Sequence, residues 1–168
     1  MLFDDDGERK PDPDYDEKAR VALEKIQEAF GALKYPGEKA VRDGSTNPDI
    51  AELMAEFGSR NWTELAHARL MFHREALPIM GPVALRFYLP AYMRAGLTRE
   101  RGASDIREYT LFALRPIRQT ATEKAAYNRR VSLLDDAQKD AVQAFLHAIA
   151  ADYGAWRSDS VMKEWGIR

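Results

Sequence analysis

Five polar side chains that could do chemistry lie close together in the sequence: His73, Glu75, Arg86, Tyr88 and Tyr92. An imidazole beside a carboxylate is suited to general acid–base catalysis, and a guanidinium is suited to binding an anion. Tyrosine hydroxyls can donate or accept a hydrogen bond in the same site. These residues form a candidate internal polar site, either for catalysis or for a small ligand.

The spacing around His73 also predicts a structural role for it. Ala66, Leu70, His73 and Leu77 recur at helical intervals, so the imidazole falls within an apolar stripe. A buried imidazole needs hydrogen-bond partners, and a tyrosine hydroxyl or a backbone carbonyl would serve. The sequence therefore favours a buried, hydrogen-bonded His73 that fixes helix packing over a catalytic His73.

The established signatures of catalysis and metal binding are missing from the sequence. The chain has no cysteine and three histidines, which excludes disulfides, thiolate catalysis and cysteine-ligated metals. It contains no phosphate-binding loop, no dinucleotide fingerprint, no HExxH and no EF-hand loop. We expect His67 and His147 to face solvent. We therefore expect no cofactor, no metal and no catalytic residues, and we favour a non-enzymatic protein over an enzyme.

Helices must position these side chains. Apolar residues recur at spacings of three and four along most of the chain, and no strand pattern is visible. We predict an all-α fold, a compact single-domain bundle of about seven or eight helices over residues 13–168. The predicted helices cover residues 19–33, 48–57, 62–77, 82–95, 104–114, 120–133 and 135–153, with a last helical turn around Val161 and Trp165. We expect Ser104 to cap its helix, and the pairs Thr120 with Glu123 and Asp135 with Gln138 to cap the next two.

The helix that begins at Pro82 is apolar on nearly all faces, which predicts a buried central helix. Pro90 removes the amide that would bond the carbonyl of Arg86, so we expect a kink there. Pro78, Pro82 and Pro90 interrupt the apolar run 76–93, and we therefore expect no membrane-spanning segment. The N-terminus lacks the basic and apolar blocks of a secretory signal, which predicts a cytoplasmic protein.

Charge is distributed unevenly along a chain whose net charge is −2. Residues 1–17 contain eight acids and two bases, and we predict that residues 1–12 form a disordered acidic arm. Residues 86–130 contain ten bases and four acids. Because these bases are scattered over three predicted helices, we expect a solvated face rather than a nucleic-acid-binding surface.

A polar connection of 13 residues, Pro36 to Pro48, follows the first predicted helix and is long enough to suggest a functional role. Its charged residues, together with basic residues outside the apolar stripes, are candidates for binding a partner. The candidate partner-binding residues are Glu38, Lys39, Arg42, Asp43, Arg99, Arg101, Arg115 and Arg118.

From about Ile26 to Tyr153 the chain resembles a family of small, uncharacterised bacterial proteins that contain a domain of unknown function. The resemblance implies a helical, cytoplasmic, bacterial protein and an association with toxin–immunity neighbourhoods, but no known catalytic residues. The residues that carry it are Tyr35-Pro36-Gly37, Trp62, His73 to Leu77, Arg86 to Met93 with its Phe-Tyr-Leu-Pro-Ala-Tyr string, and the run from Leu133 to Leu146.

Three classes of function remain after these exclusions, and we take them in order of preference. We favour a non-enzymatic protein-binding module, of the immunity type that neutralises a toxin or effector, because a charged surface without a catalytic constellation suits that task. The alternative is a small-ligand-binding protein or an enzyme that uses the candidate internal polar site. Nucleic-acid binding ranks third, and the oligomeric state stays open.

Deleting residues 1–12 is expected to change the melting temperature by less than about 2 °C, because a disordered arm contributes no packing. Thermal unfolding of the truncated and full chains, followed by circular dichroism at low and high salt, measures this. A large drop in melting temperature at low salt alone would show instead that the arm docks on residues 86–130, which we call the basic segment.

Overall fold

The computed structural model describes residues 13–43, 45, 47–115, 120–153 and 159–166. Within these ranges every regular element is helical, which confirms the all-α prediction. The predicted acidic arm, residues 1–12, and Arg118 lie outside the described residues. The α-helices are α1 Pro13–Phe30, α2 Glu38–Arg42, α3 Asp49–Phe57, α4 His67–Phe72, α5 Pro82–Gly96, α6 Ala103–Leu114, α7 Ala121–Val131, α8 Asp136–Tyr153 and α9 Asp159–Glu164, with 3-10 turns at Trp62–Glu64 and Leu77–Ile79.

Helix α5 lies at the centre of the molecule, as the sequence predicts. Eleven of its residues are buried, and it contacts α1, α2, α4, α6 and α7. It begins at Pro82, which fits the first turn of a helix because that turn needs no amide from it. Pro90 lies in its interior and is itself buried. None of the described helices combines the length and the apolarity that crossing a bilayer requires.

Helices α1 and α8 pack along one another and run in opposite directions. Near the end of α1, the carbonyl of Ala29 accepts a hydrogen bond from Nε2 of Gln138 at 3.4 Å. One turn earlier, Lys25 forms an ion pair of 2.6 Å with Asp140, which is further along α8. Leu23 belongs to the predicted apolar stripe of α1 but is 39% exposed, because the buried face of the helix passes through Tyr15 and Ala22 instead.

The predicted helix 62–77 is wrong, because the chain breaks there into a 3-10 turn, α4 and a second 3-10 turn. Arg94 of α5 explains the first break. Its guanidinium donates to the carbonyls of Thr63 and Leu65 at 2.9 and 3.2 Å, groups that a continuous helix would bond internally. Asn61 caps the 3-10 turn by accepting a hydrogen bond from the amide of Thr63 at 3.0 Å.

The polar connection between Pro36 and Pro48 contains a helix that the sequence analysis missed. Helix α2 is short, and it is anchored by Val41, which is fully buried. The apolar pattern could not identify it, because one buried side chain gives no periodicity.

Helix α6 begins at Ala103 rather than at a Ser104 cap, because Gly102 occupies the cap position with a φ of 86°. This left-handed conformation favours glycine. A side chain there would also collide with Met71, whose Sδ lies 2.6 Å from the position of a Cβ.

Two helix starts follow their predicted capping pairs. The amide of Glu123 donates to Oγ1 of Thr120 at 3.1 Å, and the amide of Thr120 donates to the Glu123 carboxylate at 2.8 Å. The amide of Gln138 donates to the Asp135 carboxylate at 2.9 Å, and Gln138 Oε1 accepts from the amide of Asp135 at 3.3 Å. Each pair satisfies amides that the first turn of a helix leaves unbonded.

A buried ion pair near the start of α1 and the end of α8 connects the helices α1, α6 and α8. Arg107 of α6 is 7% exposed and pairs with Asp152 of α8. The guanidinium also lies 5.4 Å from the ring centroid of Tyr15 in α1, a cation–π geometry. The hydroxyl of Tyr15 donates to the carbonyl of Leu97 at 2.9 Å, which adds the end of α5 to the cluster.

Asp152→Asn is expected to lower the free energy of unfolding by about 3–5 kcal/mol, because it removes the carboxylate charge from a buried ion pair. Asp140→Asn is the matched control, since it removes an exposed ion pair from the same helix and should cost less than about 1 kcal/mol. Urea unfolding of both variants measures the difference. Equal losses would contradict a dominant role for the buried pair.

Candidate functional site

Tyr92 and His73 of the candidate internal polar site lie together, but the contacts of their side chains are with a backbone carbonyl and with aromatic rings. Tyr92 is fully buried, and its hydroxyl donates to the backbone carbonyl of His73 at 2.7 Å. The His73 imidazole is half-buried and stands edge-on to Phe57 and Phe72, with ring centroids 5.5 and 4.9 Å apart. Its buried Nε2 has no hydrogen-bond partner among the described residues. The expectation of a buried, hydrogen-bonded His73 is therefore wrong, because α4 ends at Phe72 and takes the imidazole out of the stripe.

Tyr88 is a packing residue in the same region. Its ring lies 5.2 Å from that of Phe57 and 4.9 Å from that of Phe87, and its side chain is almost fully buried. Burial, with a smaller contribution from Tyr35, raises the pKa of Tyr88 well above its usual value. The phenol is therefore neutral at physiological pH and is not available as a base there.

Arg86 points to a different part of the molecule. Its Nε donates to Oε1 of Gln138 at 2.9 Å, and its Nη2 lies 3.6 Å from the carboxylate of Asp135. Gln138 is only 1% exposed and bonds the end of α1 as well. Arg86 therefore connects α5 to the start of α8 and does not face His73.

Glu75 is exposed and contacts α6. Its carboxylate accepts a hydrogen bond from the hydroxyl of Tyr109 at 2.9 Å, and Arg74 lies 4.0 Å away. The Arg74 guanidinium also lies 5.8 Å from the centroid of the Tyr109 ring. The five candidate residues thus make three separate sets of contacts rather than converging on one pocket. Across the described ranges, no group of three histidine, aspartate or glutamate side chains could hold a metal ion.

The four candidate partner-binding residues on and just after α2 lie close together in the structure. Glu38 and Arg42 form an ion pair of 2.8 Å, and they line an open depression with Lys39 and Asp43. A second cleft of about 340 Å³ adjoins it between α2 and α3. We call the two together the α2–α3 surface; its lining residues are Tyr35, Glu38, Lys39, Arg42, Asp43, Ala51, Met54, Ala55, Gly58 and Ser59.

The other candidate arginines do not belong to that surface. Arg99 pairs with Asp16 at 2.5 Å and lies 5.5 Å from the ring centroid of Tyr15, at the far end of α5. Arg101 and Arg115 are exposed. The backbone carbonyl of Arg101 lies 3.1 Å from Nε2 of His67.

The expectation for His67 is also wrong, because its side chain is only 14% exposed and therefore does not face solvent. His147 is exposed, as predicted.

Several arginines of the basic segment bond the interior instead of forming a solvated face. Arg94 donates to carbonyls of the first 3-10 turn, and Arg107 pairs with Asp152. Arg130 is half-buried and donates to the carbonyls of Pro78 and Ala113 at 2.7 and 2.8 Å. A signal for Arg94 is present in the sequence, since it lies in a helix that is otherwise apolar on nearly all faces. No comparable signal marks Arg130.

A cleft of about 440 Å³ was missed by the sequence analysis. It lies between the segment 78–82, the helix α7 and the residues that follow α2, with Arg130 in its wall. No pattern could have identified it, because its walls come from three segments that are distant in sequence.

The chain belongs to a family of unknown function (DUF6714), whose sequence profile matches residues 18–165. This confirms the resemblance to an uncharacterised family and extends it beyond the range from Ile26 to Tyr153. No curated protein and no solved structure shows significant similarity to the chain. Because the function of this family is unknown, the match indicates neither an activity nor a functional residue.

Tyr92→Phe is expected to lower the free energy of unfolding by about 1–1.5 kcal/mol, because it removes a buried hydrogen bond to the His73 carbonyl, which keeps the amide of Ala76 as its other donor. Tyr109→Phe is the matched control, since its hydroxyl bonds an exposed carboxylate, and its loss should cost less than about 1 kcal/mol. Chemical unfolding at pH 7 measures both. Equal effects would contradict a structural role for the Tyr92 hydroxyl.

The stabilisation by Tyr92 should also depend on pH. Burial, with a smaller contribution from Tyr88, raises the pKa of Tyr92 above its usual value of 10.0. The neutral phenol is therefore favoured in the folded state, and its contribution is fully present below about pH 10 and lost as the pH rises towards the folded-state pKa. The stability difference between the wild type and Tyr92→Phe should shrink above about pH 10.

Proposed function

We propose that this chain is a non-enzymatic protein-binding module that acts in the bacterial cytoplasm, of the immunity type that neutralises a toxin or effector. The α2–α3 surface is the part of the molecule that would contact the partner. The observation that carries the proposal is the grouping of Glu38, Lys39, Arg42 and Asp43 around adjoining concavities.

The α2–α3 surface combines a charged rim with a partly apolar floor. Helix α2 provides the rim, while Ala51, Met54 and Ala55 of α3 contribute apolar groups to the cleft. Protein interfaces have the same arrangement, with an apolar centre surrounded by polar residues. Methionine suits such a floor, because its unbranched side chain adapts to different partner shapes.

The rim is held in place by the core beneath it. Val41 is fully buried, and the ring of Tyr35 stands edge-on to Phe87 of α5 with centroids 5.8 Å apart. A partner would therefore meet a preformed surface, which lowers the entropic cost of association.

The charges on the rim would give specificity more than affinity. Glu38 and Arg42 neutralise one another, whereas the side chains of Lys39 and Asp43 have no ion-pair partner among the described residues. One free positive charge on α2 and one free negative charge directly after it favour a partner with the complementary order of charges.

The candidate internal polar site supports a binding role over catalysis. His73 and Tyr92 are held in contacts of the core, Arg86 bonds Gln138, and Glu75 bonds Tyr109. Catalysis needs a nucleophile or base within reach of a shared reacting atom, and these side chains do not converge on one.

A charge swap on α2 tests the proposal. Lys39→Glu combined with Asp43→Lys keeps the net charge and the Glu38–Arg42 pair but reverses the order of the two free charges. Proteins retained from a lysate of the source bacterium by the immobilised chain are identified by mass spectrometry and then purified. We expect the swap to slow association with the retained partner about tenfold at low salt, and the difference to shrink as salt is added.

The matched control is Arg20→Glu combined with Glu24→Arg, an exposed pair on α1 at the same spacing of four residues. It should leave association unchanged. Equal retention by the wild type and both swaps would contradict the proposal. Loss of activity or binding in folded Tyr88→Phe and Glu75→Gln variants, with no effect of the α2 swap, would support the internal polar site instead.

A further inference from the structure

The 440 Å³ cleft around Arg130 has the size and lining of a small-molecule site. Pockets for small ligands commonly span about 300–1,000 Å³ and combine apolar walls with a few polar groups. Here Ile79, Met80 and Pro82 supply apolar wall, and Tyr127, Arg129 and Arg130 supply polar groups. We call it the Arg130 cleft.

Arg130 brings a partly desolvated positive charge into this cleft. Its two terminal nitrogens donate to the neutral carbonyls of Pro78 and Ala113, and its buried Nε has no acceptor among the described residues. It forms no ion pair with any described acid. Burial lowers the pKa of Arg130, which shows that its surroundings disfavour the charge. A cation in such a place is stabilised when an anion approaches it.

The neighbouring charges add to this preference. Arg129 also lines the cleft, is exposed, and has no ion-pair partner among the described residues. Glu123 is the only acid among the described residues of the lining. Its carboxylate already accepts hydrogen bonds from the amide and the hydroxyl of Thr120 at 2.8 and 3.1 Å. The described part of the lining therefore carries two guanidinium groups and one carboxylate, and that carboxylate is bonded to Thr120.

We propose that the Arg130 cleft binds a small organic carboxylate, with the anion at Arg129 and Arg130 and an apolar body against Ile79, Met80 and Pro82. Each terminal guanidinium nitrogen carries two N–H groups, so Arg130 can bond a carboxylate while it keeps its two carbonyls. Arg129 presents a free planar fork, which matches the geometry of a carboxylate. This site is distinct from the α2–α3 surface, and the inference does not rest on the proposed function.

Benzoate and benzamide are the probes, because they share a shape and differ in charge. Titration of the full chain, followed by two-dimensional NMR of its backbone amides, should give a Kd on the order of 1 mM for benzoate. Benzamide should bind about tenfold more weakly or not at all, and acetate should not bind, since it lacks the apolar body. Shifts should centre on the amides of residues 79–81 and 126–130.

Substitutions of two lining residues should change the affinity for benzoate in opposite directions. Arg129→Gln should weaken benzoate about five- to tenfold with an unchanged melting temperature, because Arg129 is exposed. Glu123→Gln should tighten benzoate about twofold or more, and it leaves the helix start intact because glutamine serves equally in a capping box. The α2 charge swap should leave benzoate binding unchanged.

Equal binding of benzoate and benzamide would overturn the inference, as would weaker benzoate binding in Glu123→Gln. Absence of benzoate binding up to about 50 mM, far above the expected Kd, would overturn it as well. Loss of benzoate binding in the α2 swap would assign the anion to the α2–α3 surface and would equally reject the Arg130 cleft.

Discussion

Each helix that ends inside a packed protein leaves carbonyl groups without the amides that would bond them. This chain has many short elements and therefore many such ends, and arginine side chains supply much of the missing donation. Arg94 bonds the carbonyls around the first 3-10 turn, and Arg130 bonds those of Pro78 and Ala113. A guanidinium suits this task because its donors diverge from one planar group and can reach two segments at once. The irregular stretch between α3 and α5 can be packed against the core because these donors satisfy it.

The same constraint explains where a functional surface can lie. Helix α5 and its neighbours use their polar side chains to satisfy one another, so the centre of the molecule has little left for a ligand. The charges that the two proposed sites use lie at the periphery, on and just after α2 and on α7. Lys39 and Asp43 flank the concavities beside α3, and Arg129 lines the Arg130 cleft. The α2–α3 surface thus uses charges that the packing of the core does not need, whereas the Arg130 cleft places the exposed Arg129 beside an arginine that the core already holds.

The sequence predicts best those features whose partners are close in the chain. The caps at Thr120 and Asp135 were predictable, because both groups of each pair lie within one helical turn. The buried helix α5 was predictable from its apolar residues on all faces. The break in residues 62–77 was not, because the donor that stabilises it, Arg94, is 31 residues away from Thr63. The wrong interpretation of His73 follows directly, since its place in a stripe assumed an unbroken helix. The Arg130 cleft was equally beyond prediction, because its walls meet only in the folded chain.

The antiparallel pairing of α1 with α8 has a consequence for synthesis on the ribosome. Lys25 and Asp140 are 115 residues apart, so α1 emerges long before the helix that covers it. At about 5–20 residues per second, the delay is on the order of ten seconds. During that interval the face formed by Tyr15, Ala22 and Ile26 has no α8 to pack against. Closure of the core is therefore a late event in translation, and a chain stalled before α8 would present an uncovered amphipathic helix to chaperones and proteases.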